Sequence, residues 1–165
     1  QNEVDIFIDE GKLILHGLAQ FFIYIQENKK FEKLTHLLDS LAFNQAIIFV
    51  NRVDRAKKLT ELLNKKLFNP ICIHSALKQE ERIKNYDSFK ANNSRLLVAT
   101  DLFGRGIDIE RVNLVINYGT LIFKLRFPND RDTYLHRVGR AGRFGTKGLA
   151  INFVKPDEDT NEENG

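Results

Sequence analysis

Cysteine is nearly absent from this chain. Cys72 stands alone among 165 residues, so no disulfide can close within it. A zinc site built on thiolates is unsupported for the same reason. The four histidines, His16, His36, His74 and His136, lie far apart and show no ligand spacing. No stretch approaches the roughly 20 consecutive apolar residues that a membrane-spanning helix needs. A charged-then-apolar leader is also missing from the first residues. What remains is 42% hydrophobic and 28% charged, the balance of an ordinary globular protein. At this length it reads as one domain with room for a substantial core.

The formal net charge of +3 conceals an uneven distribution. Glu3, Asp5, Asp9 and Glu10 crowd one end, and Asp157, Glu158, Asp159, Glu162 and Glu163 the other. With those nine acids set aside, residues 11–155 hold all 25 bases against 13 acids, about +12. So basic a body points to a polyanionic partner such as nucleic acid or nucleotide. A merely solvated surface is the plainer alternative.

Residues 1–17 read as a linker or entry strand, and 156–165 as an acidic, disordered tail; the domain proper is expected over 18–155. Ala19 to Ile25 is rich in β-branched and aromatic residues and predicts a strand. Phe31, Leu34, Leu37, Leu38 and Leu41 recur at helical spacing, as do Ala56, Leu59, Leu62 and Leu63. Ala46 to Val50 is a short continuous apolar run, which suits a strand buried on both faces of a parallel sheet, and Arg95 to Ala99 predicts another buried strand. Further strands are predicted over Pro70–His74, Val112–Tyr118 and Gly148–Val154, with a charged helix from Lys78 to Lys90 carrying Ile83, Tyr86 and Phe89. Tyr134 to Val138 starts or ends another helix. This alternation predicts an open, mostly parallel α/β sheet with helices on both faces. Ligands of such sheets gather beyond the carboxyl ends of the strands. Asn51, His74-Ser75, Thr100-Asp101 and the Gly-Arg segment over 136–143 are expected there.

Two clusters carry chemistry. Thr100-Asp101-Leu102-Phe103-Gly104-Arg105-Gly106-Ile107-Asp108-Ile109 follows an apolar strand directly. Its backbone N–H groups could grip phosphate and Asp108 could accept from a ribose hydroxyl; it also reads as a plain turn. His136-Arg137-Val138-Gly139-Arg140-Ala141-Gly142-Arg143 spaces three arginines by three, on roughly one face if helical. Arginine's planar fork binds two phosphate oxygens at once. Taken alone, such a basic Gly-Arg stretch is more often a solvated nucleic-acid-binding segment than a catalytic one.

Together these clusters resemble motifs V and VI of DEAD-box RNA helicases. Ile47-Ile48-Phe49-Val50-Asn51 resembles motif IV, and Gln79-Glu80-Glu81-Arg82 the Gln-x-x-Arg of motif IVa. Four motifs in the family's order span 47–145, and the resemblance covers nearly the whole chain. It implies the second, C-terminal domain of such an enzyme, a three-layer RecA-like α/β fold. Leu41 to Gln45, Leu102 to Gly106, Ile109 to Asn113 and Arg143 to Ala150 are closer to the members that act in spliceosome assembly and mRNA export, which implies a nuclear location.

The resemblance also assigns roles. Arg140 and Arg143 match the arginine fingers on the γ-phosphate, and Asp108 the ribose-binding aspartate. Arg82, Thr100 and Gly106 match contacts to the RNA backbone. Arg105, His136 and Arg137 match residues that couple the sites and close the two domains, although His136 also reads as structural and Arg137 as solvated. The implied cofactors are ATP and Mg²⁺, and the implied partners are single-stranded RNA, an N-terminal RecA-like domain of the same protein, and splicing or export adaptors. A non-enzymatic RNA- or adaptor-binding module is the alternative. A DNA-directed relative is a third reading, which the wording of motifs V and VI disfavours.

Three departures qualify this. The Gly-x-x-x-x-Gly-Lys-Ser/Thr loop, the Asp-Glu-Ala/Cys-Asp motif and the Q motif are absent, so the Mg²⁺ ligands and most phosphate-binding groups lie outside this chain and ATP hydrolysis by it alone is not expected. Gly119 to Phe127 reads as an insertion of about seven residues ahead of motif VI. Ser75 occupies a position usually held by glycine.

Overall fold

The computed structural model describes residues 6–8, 19–100, 109–119 and 148–156. They form one seven-stranded sheet. In chain order the strands are β1 (Ile6–Ile8), β2 (Ala19–Tyr24), β3 (Gln45–Val50), β4 (Ile71–Ile73), β5 (Leu96–Thr100), β6 (Val112–Asn117) and β7 (Leu149–Val154). Across the sheet the order is β1-β2-β7-β6-β3-β5-β4. β2 to β7 run parallel, and only β1 pairs antiparallel, against β2. Three α-helices are described, α1 (Lys30–Ser40), α2 (Val53–Lys65) and α3 (Gln79–Lys90), with a 3-10 turn over Glu27–Lys29 leading into α1. None is long and apolar enough to cross a membrane. The expected RecA-like architecture is what the chain adopts.

Every residue of β3, β5 and β6 is buried, as their unbroken apolar runs require of strands covered on both faces. Side chains alternate between two cores. On one face Ile48, Val98, Ile116 and Phe153 meet Leu34 and Leu38 of α1 and Ala56, Leu59 and Leu63 of α2. On the other, Ile47, Leu97, Val115 and Ala150 cluster with Phe89 of α3.

The helices differ in how firmly they are held. α1 and α2 each bury a stripe at spacings of three and four. α3 buries Phe89 alone. Tyr86 packs partly against the core, and Ile83, one turn before it, is 52% exposed. A polar lock reinforces this single anchor. Gln45 Nε2, at the start of the central strand, donates to the carbonyls of Phe89 (2.8 Å) and Ser94 (2.9 Å).

α2 and α3 both end in a reversal with a left-handed residue two positions past the helix, and after α2 a second one, Asn69 (φ 49°), follows. After α3 that residue is Asn92 (φ 66°), with Asn93 N–H donating to Ser88 O and Asn92 N–H to Phe89 O. After α2 it is Leu67 (φ 66°), with Phe68 N–H donating to Leu63 O. Asparagine tolerates this conformation; leucine does not. Leu67 is also 82% exposed, so its side chain recovers little by packing. Leu67→Gly is therefore expected to stabilise the domain by roughly 1 kcal/mol in urea unfolding.

Candidate nucleic-acid interface

The parallel register brings several strand ends to one rim of the sheet. Val50 pairs with Thr100, and Ile73 with Ala99. Asn51 and Arg52, then His74, and then Tyr118-Gly119 leave the sheet at this rim after β3, β4 and β6. Asn51 is exposed and packs against Gly119, where an added Cβ would meet Asn51 Cγ and Oδ1 at 3.1 Å. Gly119 is needed for that approach. The two chains are also tied through the backbone, Tyr118 N–H donating to Phe49 O at 2.8 Å.

His74 organises the loop into α3. Its Nδ1 accepts from Ala76 N–H (3.2 Å), and its carbonyl accepts from Leu77 N–H (3.2 Å). Arg82 then bonds back to the same loop, its Nε donating to Leu77 O at 3.2 Å. That bond spends one guanidinium donor on position and leaves the terminal nitrogens for a ligand. Burial lowers the His74 pKa below its ordinary 6.5, Lys57 adds to the effect, and Glu81 opposes it. The unfolded chain thus binds more protons than the folded one just below that value, and stability falls as pH drops through it. His74→Gln is expected to flatten this acid limb in denaturant titrations between pH 5 and 7.

Thr100 is buried, and its Oγ1 finds no hydrogen-bond partner among the described residues. Of the residues the motifs single out, Arg82 and Thr100 are described, and the parallel order sets β5 between β3 and β4, the strand that leads into the His74–Arg82 loop. Asp108, Arg105, Gly106, His136, Arg137, Arg140 and Arg143 lie outside the described residues, as do Asp101, the Tyr134–Val138 helix, residues 157–165 and all of the 119–127 segment except Gly119.

One charged cluster beside the rim escaped the sequence reading. Lys30 is 1% exposed, yet its Nζ lies 3.2 Å from Glu27 Oε1 and 5.7 Å from the centroid of the Tyr118 ring. Arg55 Nη1 reaches the same Glu27 oxygen at 3.4 Å. Burial lowers the Lys30 pKa against the pull of Glu27. Burial also works to raise that of Glu27, but Lys30 and Arg55 outweigh it and the carboxyl titrates low. Tyr118 is pushed up to about 12, first by burial and then by Glu27. An ion pair and a ring thus compensate one buried ammonium and pin the exit of β6. The spacing of Glu27 and Lys30 was the only trace of it in the sequence.

The chain is similar to known proteins over most of its length. The helicase conserved C-terminal domain family matches residues 29–145. The ATP-dependent RNA helicase SUB2 of Meyerozyma guilliermondii is 57% identical over 160 residues, which are 96% of this chain and 35% of that protein. The ATP-dependent RNA helicase uap56 of Schizosaccharomyces pombe is 56% identical over 161 residues, 97% of this chain and 36% of that protein. The chain thus spans about a third of the length of these relatives. Among solved structures, the C-terminal domain of the DEAD-box protein Dbp5 superposes with a TM-score of 0.68 at 35% identity, covering 86% of this chain and 77% of that one. Dbp5 of S. cerevisiae bound to RNA and ADP BeF3 superposes with a TM-score of 0.69 at 34% identity, covering 89% and 37%.

Proposed function

The chain belongs to the helicase conserved C-terminal domain family, as the C-terminal RecA-like domain of a DEAD-box RNA helicase, and from that premise we propose that it is the half of an ATP-dependent RNA helicase that supplies the arginine fingers and part of the RNA surface. The observation that carries this reading is the placement of Thr100 and the His74–Arg82 loop at the carboxyl rim of one parallel sheet. Arg82 is oriented through Leu77 O and offers its remaining donors to a phosphate. Contacts of this kind position an RNA strand without reading its bases. Thr100 and Gly106 complete the backbone contacts in this reading.

The nucleotide side is assigned to Asp108, Arg140 and Arg143. Asp108 accepts from the ribose, and the two guanidiniums stabilise charge that develops on the transferring phosphoryl group. ATP with Mg²⁺ supplies the hydrolysable bond, and the metal's ligands belong to the N-terminal domain. Arg105, His136 and Arg137 couple the sites as the domains close. In isolation the chain then turns over no ATP, because fingers without a phosphate cradle have nothing to act on. The resemblance of its segments to the helicases of spliceosome assembly and mRNA export supports the further reading that the whole protein acts in the nucleus, in pre-mRNA splicing and mRNA export with adaptor proteins.

The RNA half of this reading is tested by Arg82→Ala in the two-domain protein. Affinity for single-stranded RNA is expected to fall severalfold regardless of sequence, with the salt dependence of binding reduced by about one ion. An unchanged salt slope would remove Arg82 from the interface.

A further inference from the structure

Among the described residues, Lys30 is the one lysine, arginine or carboxylate that is fully buried. Replacing a buried ion pair by well-packed apolar groups is often neutral or stabilising, so stability alone is a weak reason to keep one. Its burial is only partly compensated. An ammonium carries three donors, and no well-formed hydrogen bond takes any of them among the described residues. Arg55 and Lys155 repel the charge, and Glu27 opposes them.

What the charge does is join chain exits at the carboxyl rim. β2 and β7 end side by side, with Ile25 N–H donating to Val154 O at 2.9 Å, and Glu27 lies in the turn that follows β2. Glu27 Oε1 pairs with Lys30 at the start of α1 and with Arg55 in the first turn of α2. The ammonium also faces the Tyr118 ring, which packs on Phe153 with centroids 5.7 Å apart. Tyr118 and Gly119 both donate N–H to Phe49 O, at 2.8 and 3.4 Å, and Gly119 lies against the Asn51 side chain. Asn51 is exposed and directly follows Val50, which is paired with Thr100. One series of contacts therefore runs from Lys30 through Tyr118 and Gly119 to an exposed amide beside the end of β5.

We infer that Lys30 is a positioning residue for RNA binding, holding the Asn51 amide through Tyr118 and Gly119 in the orientation that meets the RNA backbone. The inference rests on the reading of this rim as an RNA surface. Lys30 itself touches no RNA. Methionine would fill the same space, but it offers Glu27 no charge, and its sulfur favours the edge of a ring where a cation favours the face.

The test is RNA-stimulated ATP turnover by the two-domain protein, read as KM for single-stranded RNA and kcat separately. Lys30→Met is expected to raise KM about threefold to tenfold, the worth of one oriented hydrogen bond, with kcat within about twofold of the parent. Its urea midpoint is expected to stay near that of the parent, because an apolar residue of similar volume replaces a buried charge. Asn51→Ala is expected to raise KM by a similar factor, and Lys30→Met to add nothing in that background, because the two act in series. Tyr118→Leu should reproduce Lys30→Met, and Tyr118→Phe, which keeps the ring, should not. If Lys30→Met unfolds the domain, the two Tyr118 variants carry the same cycle with Asn51→Ala. Multiplying losses at Lys30 and Asn51 would overturn the proposal. An unchanged KM in Lys30→Met, while Arg82→Ala and Asn51→Ala raise theirs, would overturn it and leave the RNA reading standing. Unchanged KM in all of them would remove the RNA surface and this proposal together.

Discussion

Replacing Phe89 by alanine is expected to destabilise the domain by about 3–5 kcal/mol, among the largest costs of any single core substitution here. Phe89 is fully buried and is the only buried residue of α3. Its loss leaves that helix with partial packing by Tyr86 and with the Gln45 bond to the Phe89 carbonyl. For a domain whose total stability is on the order of 5–15 kcal/mol, the melting temperature should drop by on the order of 10 °C. The consequence reaches function. Arg82 sits in the first turn of the same helix, so RNA affinity should fall with the packing although no RNA contact has been altered. Phe89→Leu, which keeps most of the volume, should cost less than about 2 kcal/mol and preserve RNA binding. Equal loss of RNA binding in both variants would mean that packing of α3 does not set the position of Arg82. Both are read by denaturant unfolding beside an RNA titration.

The second large effect is expected at Arg143. In the two-domain protein, Arg143→Ala should lower RNA-stimulated ATP turnover by about 10³-fold or more, the range of an arginine finger. RNA affinity should hardly change, since the fingers serve the nucleotide. Arg143→Lys should fail nearly as badly, because a point charge does not reproduce the planar two-donor fork. Single-turnover hydrolysis beside an RNA titration separates these outcomes. Lost RNA binding with normal chemistry would place Arg143 on the wrong ligand. Retained turnover together with retained adaptor binding would favour the non-enzymatic module.

Much of the fold was legible because its signals are local. Ala46 to Val50 and Leu96 to Ala99 are short, continuously apolar runs of the kind that strands covered on both faces need, and each proves fully buried, whereas Arg95 stays exposed just ahead of its strand. The stripes of α1 and α2 were equally plain. α3 misled in one respect. Ile83 fits the spacing of Tyr86 and Phe89, but a mostly charged helix held at one end turns its first apolar residue to solvent. β1 was read only as part of an entry segment, since three residues leave no period to count.

The site divides in the same way. Arg82 and Thr100 were singled out from motif wording, and the sheet sets the strand that ends in Thr100 beside the strand that leads into the Arg82 loop. The Glu27–Lys30–Tyr118 cluster joins residues about 90 positions apart. It does not exist until the chain folds. Gly119 is instructive too. The sequence marks it only as the head of an apparent insertion, and the structure buries it against Asn51 just past β6.

The most direct test of the account is ATP turnover, with and without single-stranded RNA, by this chain alone, by the protein's N-terminal RecA-like domain alone, and by the two joined. The account predicts RNA-stimulated turnover by the joined protein and none by either half. Turnover by the 165-residue chain alone that vanishes with Arg143→Ala, or a folded joined protein that binds RNA but never hydrolyses ATP, would contradict it.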